Sequence, residues 1–467
     1  MVIRVLWENL QRTTNILEAK YDIAVTPKRV EVNINNYKEA DTFNCDLDYK
    51  NFPFDPRSIR AIGVSIYMQD MKRLVDDTGK PTRIVPSPDN LVFVGFADEE
   101  TIKMDDNAGL VSFSGRDYTS LLLDRAFVDR NGVAPTIDLS VPLDKAIQRL
   151  LSELPETQAI EVKNRTGETL PTIAKYAPDY SPLAASKNVD KKDKYWEVIQ
   201  DLVSRAALVA YIELDKLVIT SPRVLYGATK AKQLIYGKNL KSLEFKRKLG
   251  RVKGYNIQVQ SLNYQKKEVL TAKIPEQASQ EFIAATGIPR EAVKIPKPSS
   301  NGQITQEPAP YLAFNVPNIA DQNQLIKIGE KIFEEVSRQE IEGQAVTKDM
   351  MLSEITANEA GHAQVGPKSD AVRSTTGFDI FKIRNATPIA IFVDWEDLQA
   401  ISQLRDSAQR RRYLEEHAFA PKVAAALADV IGKQPNVFYT RSVKFSMDSD
   451  GFSCEIDFIN YVRAPKK

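Results

Sequence analysis

Apolar and polar residues alternate along the first third of the chain. In RVEVNINN, Val30, Val32 and Ile34 fall on one face of an extended segment, with polar residues between them. That is the pattern of a half-buried strand. Ile62, Val64 and Ile66 repeat it in SIRAIGVSIYM. NLVFVGF and GLVSFSG follow, separated by the polar run ADEETIKMDDNA. Strands this closely spaced predict an antiparallel barrel or sandwich. DDTGKPTRIVPSPDN, rich in turn formers, reads as a long polar loop.

The period then lengthens. Leu143, Ile147, Leu150, Leu151 and Leu154 line one face of a helix, with Pro142 suited to its first turn. Residues 163–193 read as an exposed loop. Trp196, Ile199, Leu202, Val203 and Ala206 mark a second helix. VAYIELDKLVITSPR reads as a hairpin turning at Leu214–Asp215. Strands return in QLIYG, KSLEFKRKL, YNIQVQSLNY and KEVLTAKI.

Residues 275–310 carry Pro275, Pro289, Pro296, Pro298, Pro308 and Pro310, which predicts an excursion without regular structure. Its Phe282, Ile283, Ile288 and Ile295 are poor choices for a solvated linker, so it is expected to leave its own barrel and pack on a neighbouring subunit or baseplate protein. YLAFNV resumes as a strand. Leu325, Ile328, Ile332, Phe333 and Val336 make the apolar face of the next helix, where Asp321 and Gln324 resemble a capping box. DIFKIRN and PIAIFVDW read as strands and 396–431 as helical. NVFYTRSVKFSM and DGFSCEIDFINYV close the series, and in the last Phe452, Cys454, Ile456 and Phe458 share a face.

This layout predicts a β-rich α+β protein in three parts: a strand-rich domain at 1–135, an inserted helix–hairpin domain at 136–225, and a second strand-rich domain at 226–467. No short repeat is visible.

The 467 residues carry 63 Lys+Arg against 62 Asp+Glu, so no global field draws in nucleic acid or an anionic membrane. Cys45 and Cys454 are too few for a disulfide framework and read as reduced structural thiols. No apolar run is long enough to span a bilayer. Met1 to Asn9 lacks a signal-peptide core, so synthesis in the cytoplasm without secretory processing is expected.

Candidate chemistry is thin. His362 and His417 have no metal-ligand spacing around them. Asp76–Asp77, Asp98 to Glu100 and Asp105–Asp106 read as solvated turns. No phosphate loop and no dinucleotide fingerprint occurs. The reading is therefore no catalytic residue, no cofactor and no metal. In VSFSGRDYTSLLLDR a strand stops at a glycine and gives way to a leucine-rich helix. Gly115, Arg116 and Asp117 read as a structural corner: Gly115 turns, Asp117 caps the helix, and Arg116 and Asp117 are placed for subunit contacts. The basic cluster Lys246, Arg247, Lys248, Arg251 and Lys253 is the best candidate patch for an anionic partner.

Several of these segments together resemble the baseplate hub proteins of contractile-tailed phages and related contractile injection systems, the late control protein D-like family. VSFSGRDYTSLLLDR is similar to that family's first-barrel strand, corner and helix. YWEVIQDLVSRAALVAYIELDKLVITSPR is similar to its helix–hairpin segment. IYGKNLKSLEFKRKLGRVKGYNIQVQS is similar to the start of its second barrel, and 317–342 fits that barrel's helix. The resemblance implies two tube-like split β-barrels per chain, with an inserted smaller α/β domain and loops. It implies a non-enzymatic homotrimer whose six barrels adapt a six-fold tail tube to a three-fold spike. The partners would be the tail tube protein, a spike protein and other baseplate proteins, with DNA only as passing cargo. The place would be the virion tail, assembled in the host cytoplasm. Related spike proteins continue into further domains; INYVRAPKK ends this chain, so the spike is expected to be a separate polypeptide. Two alternatives stand beside this reading. One is a tail-associated cell-wall hydrolase with carboxylates in 163–193 or 275–310. The other is a nucleic-acid-binding protein using 246–253.

Overall fold

The computed structural model describes residues 2–9, 20–23, 27–37, 39–51, 62–69, 87–104, 109–128, 134–153, 157–158, 160–178, 180, 194–226, 230–235, 239–247, 256–263, 267–286, 289–298, 304–316, 319, 321–337, 341–356, 378–392, 408–409, 412 and 437–460. The alternating segments of the first third form β1 (Val2–Asn9), β2 (Lys20–Ile23), β3 (Arg29–Ile34), β4 (Thr42–Asp48), β5 (Ile62–Gln69), β6 (Leu91–Met104) and β7 (Gly109–Asp117). Then come α1 (Thr119–Asp124), α2 (Leu143–Ser152), β8 (Glu161–Asn164), α3 (Ile173–Tyr176), α4 (Tyr195–Arg205), β9 (Val209–Glu213), β10 (Lys216–Thr220) and α5 (Pro222–Leu225). Strands β11 (Lys230–Ile235), β12 (Leu240–Arg247), β13 (Asn256–Asn263) and β14 (Glu268–Ile274) precede α6 (Gln280–Thr286). The remainder is β15 (Lys294–Pro298), β16 (Ile304–Pro308), β17 (Tyr311–Asn315), α7 (Gln322–Ser337), β18 (Ile341–Thr347), β19 (Met351–Leu352), β20 (Glu354–Thr356), β21 (Phe378–Asp379), β22 (Pro388–Phe392), β23 (Val437–Asp448) and β24 (Gly451–Asn460). The class is β-rich α+β, as the alternation predicts.

The chain divides into two compact units, each assembled from separated stretches. Unit one is Met1–Thr119, Ala228–Lys246 and Glu342–Ile459; unit two is Ser120–Gly227, Arg247–Ile341 and Asn460–Lys467.

Unit one is built on a sheet of 14 strands among the described residues, with the path β12-β18-β24-β23-β3-β4-β7-β6-β5-β1-β2 and with β11, β20 and β22 beside it. Its core face follows from the period of two. Val30, Val32, Phe43, Cys45, Val111, Phe113, Phe445, Cys454, Ile456 and Phe458 are at most 1% exposed. Each such apolar side chain contributes about 1.5–3 kcal/mol by leaving water.

One topology occurs twice in this sheet. The strands β3, β4, β5, β6 and β7 lie in the order β3-β4-β7-β6-β5. The strands β12, β18, β22, β23 and β24 lie in the order β12-β18-β24-β23-β22. In both sets the order is first, second, fifth, fourth, third, and the last two strands form a long hairpin. The sets meet where β23 of the second pairs antiparallel with β3 of the first: Val443 faces Ile34, Phe445 faces Val32 and Met447 faces Val30.

Unit two holds smaller sheets. In β8-β10-β9 the predicted hairpin forms as expected, and Leu214 takes φ 59 at its turn. Helices α2 and α4 cover this sheet with the residues their 3.6-residue period selects, among them Ile147, Leu150, Ile199 and Leu202. In β14-β13-β17 the helix α7 packs on Ile257, Val259, Ala272 and Ile274 through Leu325, Ile328 and Phe333.

Several expectations are corrected. The polar run 97–104 is strand, not a connection: β6 continues to Met104 with β7 alongside. The stretch 163–193 contains the end of β8 and helix α3, with Leu170, Ile173, Tyr176 and Tyr180 buried. The excursion 275–310 contains α6 and the β15–β16 hairpin, and Phe282 is 1% exposed in the core of its own unit. Buried Asn256 ties the two legs of that excursion together, since its Nδ2 donates to Ala309 O at 2.8 Å and Val293 N donates to its Oδ1 at 2.8 Å. DIFKIRN gives only Asp379 to a strand, β21, and then makes a 3-10 turn, because Asp379 accepts from Phe381 N at 3.0 Å and caps the turn. Asp321 caps α7 through Asn323 N and Gln324 N, but the Gln324 side chain donates to Arg205 O instead of closing a box. Most of the helical stretch expected at 396–431 and most of the loop at 76–90 lie outside the described residues, and so does the Ile288 position.

Candidate functional site

The GRDY segment does not break at its glycine. Gly115 sits within β7, which runs on to Asp117, and the turn begins at Tyr118. The glycine is there for proximity, not for a turn. A Cβ on it would lie 1.8 Å from Phe96 O and 2.7 Å from Phe43 Cε1. Gly95, on the facing strand, has the same relation to Arg116 O at 2.2 Å. The two backbones approach beside the irregularity that the β6·β7 register shows between Ala97 and Glu99.

Arg116 is held within the unit. Its Nε and a terminal nitrogen donate to the two oxygens of Asp98 at 2.6 and 3.3 Å, a bidentate pair. Asp117 is 3% exposed and caps the turn into α1, accepting from Thr119 N and Thr119 Oγ1, both at 3.0 Å. Burial pushes the Asp117 carboxyl up to about 7, against the opposing hydrogen bonds of Thr119 and the charge of Arg116. Burial and the Asp117 charge also hold Asp41 well above the usual carboxylate range, against the Asn35 backbone bond and the Arg384 charge. The two backbones touch, with Asp117 N donating to Asp41 O at 3.0 Å. This is a polar node inside the sheet that fixes the end of β7.

Of the basic cluster, Lys246 is exposed near the end of β12 and Arg247 closes the strand. Lys248, Arg251 and Lys253 lie outside the described residues, as do His362 and His417. Among the described residues no group of three or more His, Cys, Asp or Glu side chains is placed to hold a metal ion. Cys45 and Cys454 are free and buried, and burial pushes both thiols up. A cleft of about 320 Å³ in unit two is lined by Tyr176, Leu208, Phe282, Lys327, Glu330 and Lys331. Its best-placed polar groups serve the fold: Glu330 accepts from Ser279 N at 2.6 Å, and Lys331 Nζ donates to Leu208 O at 2.7 Å. Among the described residues no helix is long and apolar enough to cross a membrane.

The sequence missed a different feature, the two borders of the five-strand sets. Beyond Phe96, β6 has β7 on one side and no strand on the other among the described residues. Ile102 faces fully buried Val111 across β7, so it shares the core face, yet it is 44% exposed; Met104, two residues on, is 66% exposed. At the far end of the sheet path, β12 pairs with β18 alone among the described residues. Its Phe245 packs on Phe438 and Phe458 with ring centroids 5.8 and 5.6 Å away. Both borders thus carry apolar residues to an uncovered edge. In sequence the first is hidden in an acidic run, and the second reads as a basic patch.

No protein-family model matches the chain, and no curated protein matches it in sequence. Its fold is similar to solved phage tail structures. The tail protein from Neisseria meningitidis MC58 superposes with a TM-score of 0.51 at 11% identity, over 100% of this chain and 99% of that one. The 43 kDa tail protein of prophage MuSo2 from Shewanella oneidensis superposes with a TM-score of 0.50 at 12% identity, over 98% of each chain.

Proposed function

We propose that this chain is a structural, non-enzymatic tail protein that serves as a ring-forming baseplate hub. Three copies surround a central channel. One face of the ring binds the tail tube and the other binds a separate spike, within the tail of a contractile phage or a related injection machine.

The observation that carries this reading is the repeated five-strand topology. Each chain brings two equivalent β modules, so three chains bring the six that a six-fold tube requires, while the ring keeps the three-fold symmetry of a spike. The whole-length likeness to two tail proteins supports it at the level of fold. The near balance of charge suits a closely packed assembly, because subunits of strong like charge repel. DNA is cargo in the channel, and assembly takes place in the host cytoplasm.

Native mass spectrometry and particle imaging of the purified chain test the proposal. A C3 ring with an open centre is expected, and purified protein is expected to leave cell walls intact. A six-copy ring, or a chain that stays single in the presence of its spike, overturns it.

A further inference from the structure

We propose that neighbouring copies join by continuing the large sheet: β12 of one copy pairs antiparallel with the outer half of β6, residues 99–104, of the next. This names the partner for the open borders and rests on the reading of the chain as a ring-forming subunit.

The argument starts from the junction already inside the chain. There the fourth strand of the second set, β23, uses its first residues to pair with β22, through Val437, Phe438 and Tyr439. Its later residues, Val443 to Met447, pair with β3, the first strand of the other set. The fourth strand of the first set is β6. Its first residues, from Leu91 to Phe96, pair with β5, as β23 pairs with β22. Its later residues are in the position of Val443 to Met447 but have no first strand beside them among the described residues. The first strand left over is β12, which borders the sheet. A repeat with one filled junction and one vacant pair of matching edges is the geometry of a head-to-tail contact.

The strand directions agree. β23 runs antiparallel to β3, and β6 runs antiparallel to β7, β7 to β4 and β4 to β3. β6 and β23 therefore point the same way, and the next first strand meets β6 as β3 meets β23.

The side chains agree as well. At the filled junction the core-face residues Val443 and Phe445 are 1% and 0% exposed, covered by Ile34 and Val32. Their counterparts on β6 include Ile102 and Met104, left 44% and 66% exposed. β12 offers Leu243 and Phe245 on its core face to cover them. Charge matches too. The filled junction carries Lys444 on the fourth strand against Glu31 on the first, 3.1 Å apart. At the vacant one the face away from the core carries Glu99 and Lys103 on β6 and Glu244 and Lys246 on β12, and the antiparallel register that sets Glu99 against Lys246 also sets Ile102 against Leu243. Unpaired edges with apolar side chains invite such pairing, and directly opposed apolar and opposite-charge pairs stabilise it.

Cysteine pairing on the full chain tests this. Thr101→Cys is combined in turn with Ser242→Cys, Glu244→Cys or Lys246→Cys, all on the face away from the core, so that one of the three matches the register. Both native cysteines are buried. Oxidation is expected to link different copies in one of the combinations, with the ladder ending at a closed trimer. Ile102→Lys with Met104→Lys is expected to keep the melting temperature of the isolated chain. It should weaken self-association by at least roughly a hundredfold. A trimer by mass in which no combination cross-links overturns the strand pairing and leaves the hub reading standing. Cross-linking into a ring of another size supports the pairing and overturns the trimeric hub. A chain that is single at every concentration and never cross-links overturns the pairing, leaving both edges to a different polypeptide.

Discussion

Lys444 Nζ lies 3.1 Å from Glu31 Oε1, and the pair bridges the line where the two five-strand sets become one sheet. Glu31 also accepts from Arg29 at 3.1 Å. Burial alone would raise the Glu31 carboxyl, but the hydrogen bonds and charges of Lys444 and Arg29 outweigh it and hold the group below its ordinary value.

A double-mutant cycle with Glu31→Gln and Lys444→Met should therefore show a coupling of about 1 kcal/mol, weakening with salt because Lys444 is 35% exposed. A carboxyl whose folded value is depressed adds stability that is present above its unfolded value. That share is lost as pH falls through the folded one. The coupling is expected to vanish in acid and hold at neutral pH. Denaturant melts at pH 7 and at pH 3 check it, and a coupling unchanged between them is the contrary result.

Gly115→Val should prevent unit one from folding, because the new side chain would enter Phe96 O and the Phe43 ring. Overpacking against backbone of this kind costs on the order of several kcal/mol. Ser114→Ala, on the opposite face of the same strand, should stay within about 1 kcal/mol of the parent. Soluble yield and circular dichroism of the two variants separate them; equal behaviour contradicts the close approach.

Asp117 gives the opposite pH signature to Glu31. Its folded value is about 7 and its unfolded value about 3.9, so between these the folded chain holds a proton that the unfolded chain has lost. Stability from this group falls as pH rises through that window. Asp117→Asn keeps an acceptor for Thr119 N without the charge. The melting temperature of the variant relative to the parent should rise from pH 5 to pH 8. A difference that is flat or shrinks over that range contradicts the buried-carboxyl account.

Phe282→Ala should lower the stability of unit two by about 3–5 kcal/mol, since the ring is buried against Phe333 with centroids 6.0 Å apart. Removing residues 279–307 takes the same ring away and should unfold the unit, not free an arm. Limited proteolysis of the two variants reads this; a shortened protein as resistant as the parent would show the excursion to be dispensable.

The sequence was legible where one face of an element is apolar and the other polar. β3, β5, α2, α4, the β9–β10 hairpin and α7 lie where their periods put them. It failed where that contrast is missing. Of residues 97–104 only Ala97, Ile102 and Met104 are apolar, and beyond Phe96 the strand has one neighbour among the described residues, so no alternation marks it. Pro296, Pro298 and Pro308 argued against strands, yet the β15–β16 hairpin is a two-stranded ribbon with open edges, where proline is tolerated. The turn comes at Tyr118 and not at Gly115, because the glycine serves a close approach. The repeated topology leaves no trace in residue identity, because a strand order is fixed by pairing and not by which apolar residue fills the face.

The pairing of β3 with β23 also sets a schedule. Ile34 emerges from the ribosome early, whereas its partner Val443 is synthesised only after the first two stretches of unit two and β18 have been made. Contacts this distant in sequence form slowly, and a strand edge exposed meanwhile is open to wrong partners. Until β23 arrives, β3 offers nascent chains on the same message a border like the one we assign to β12. Premature pairing between unfinished chains is thus the characteristic hazard of this architecture, and it should grow with translation rate and with ribosome density.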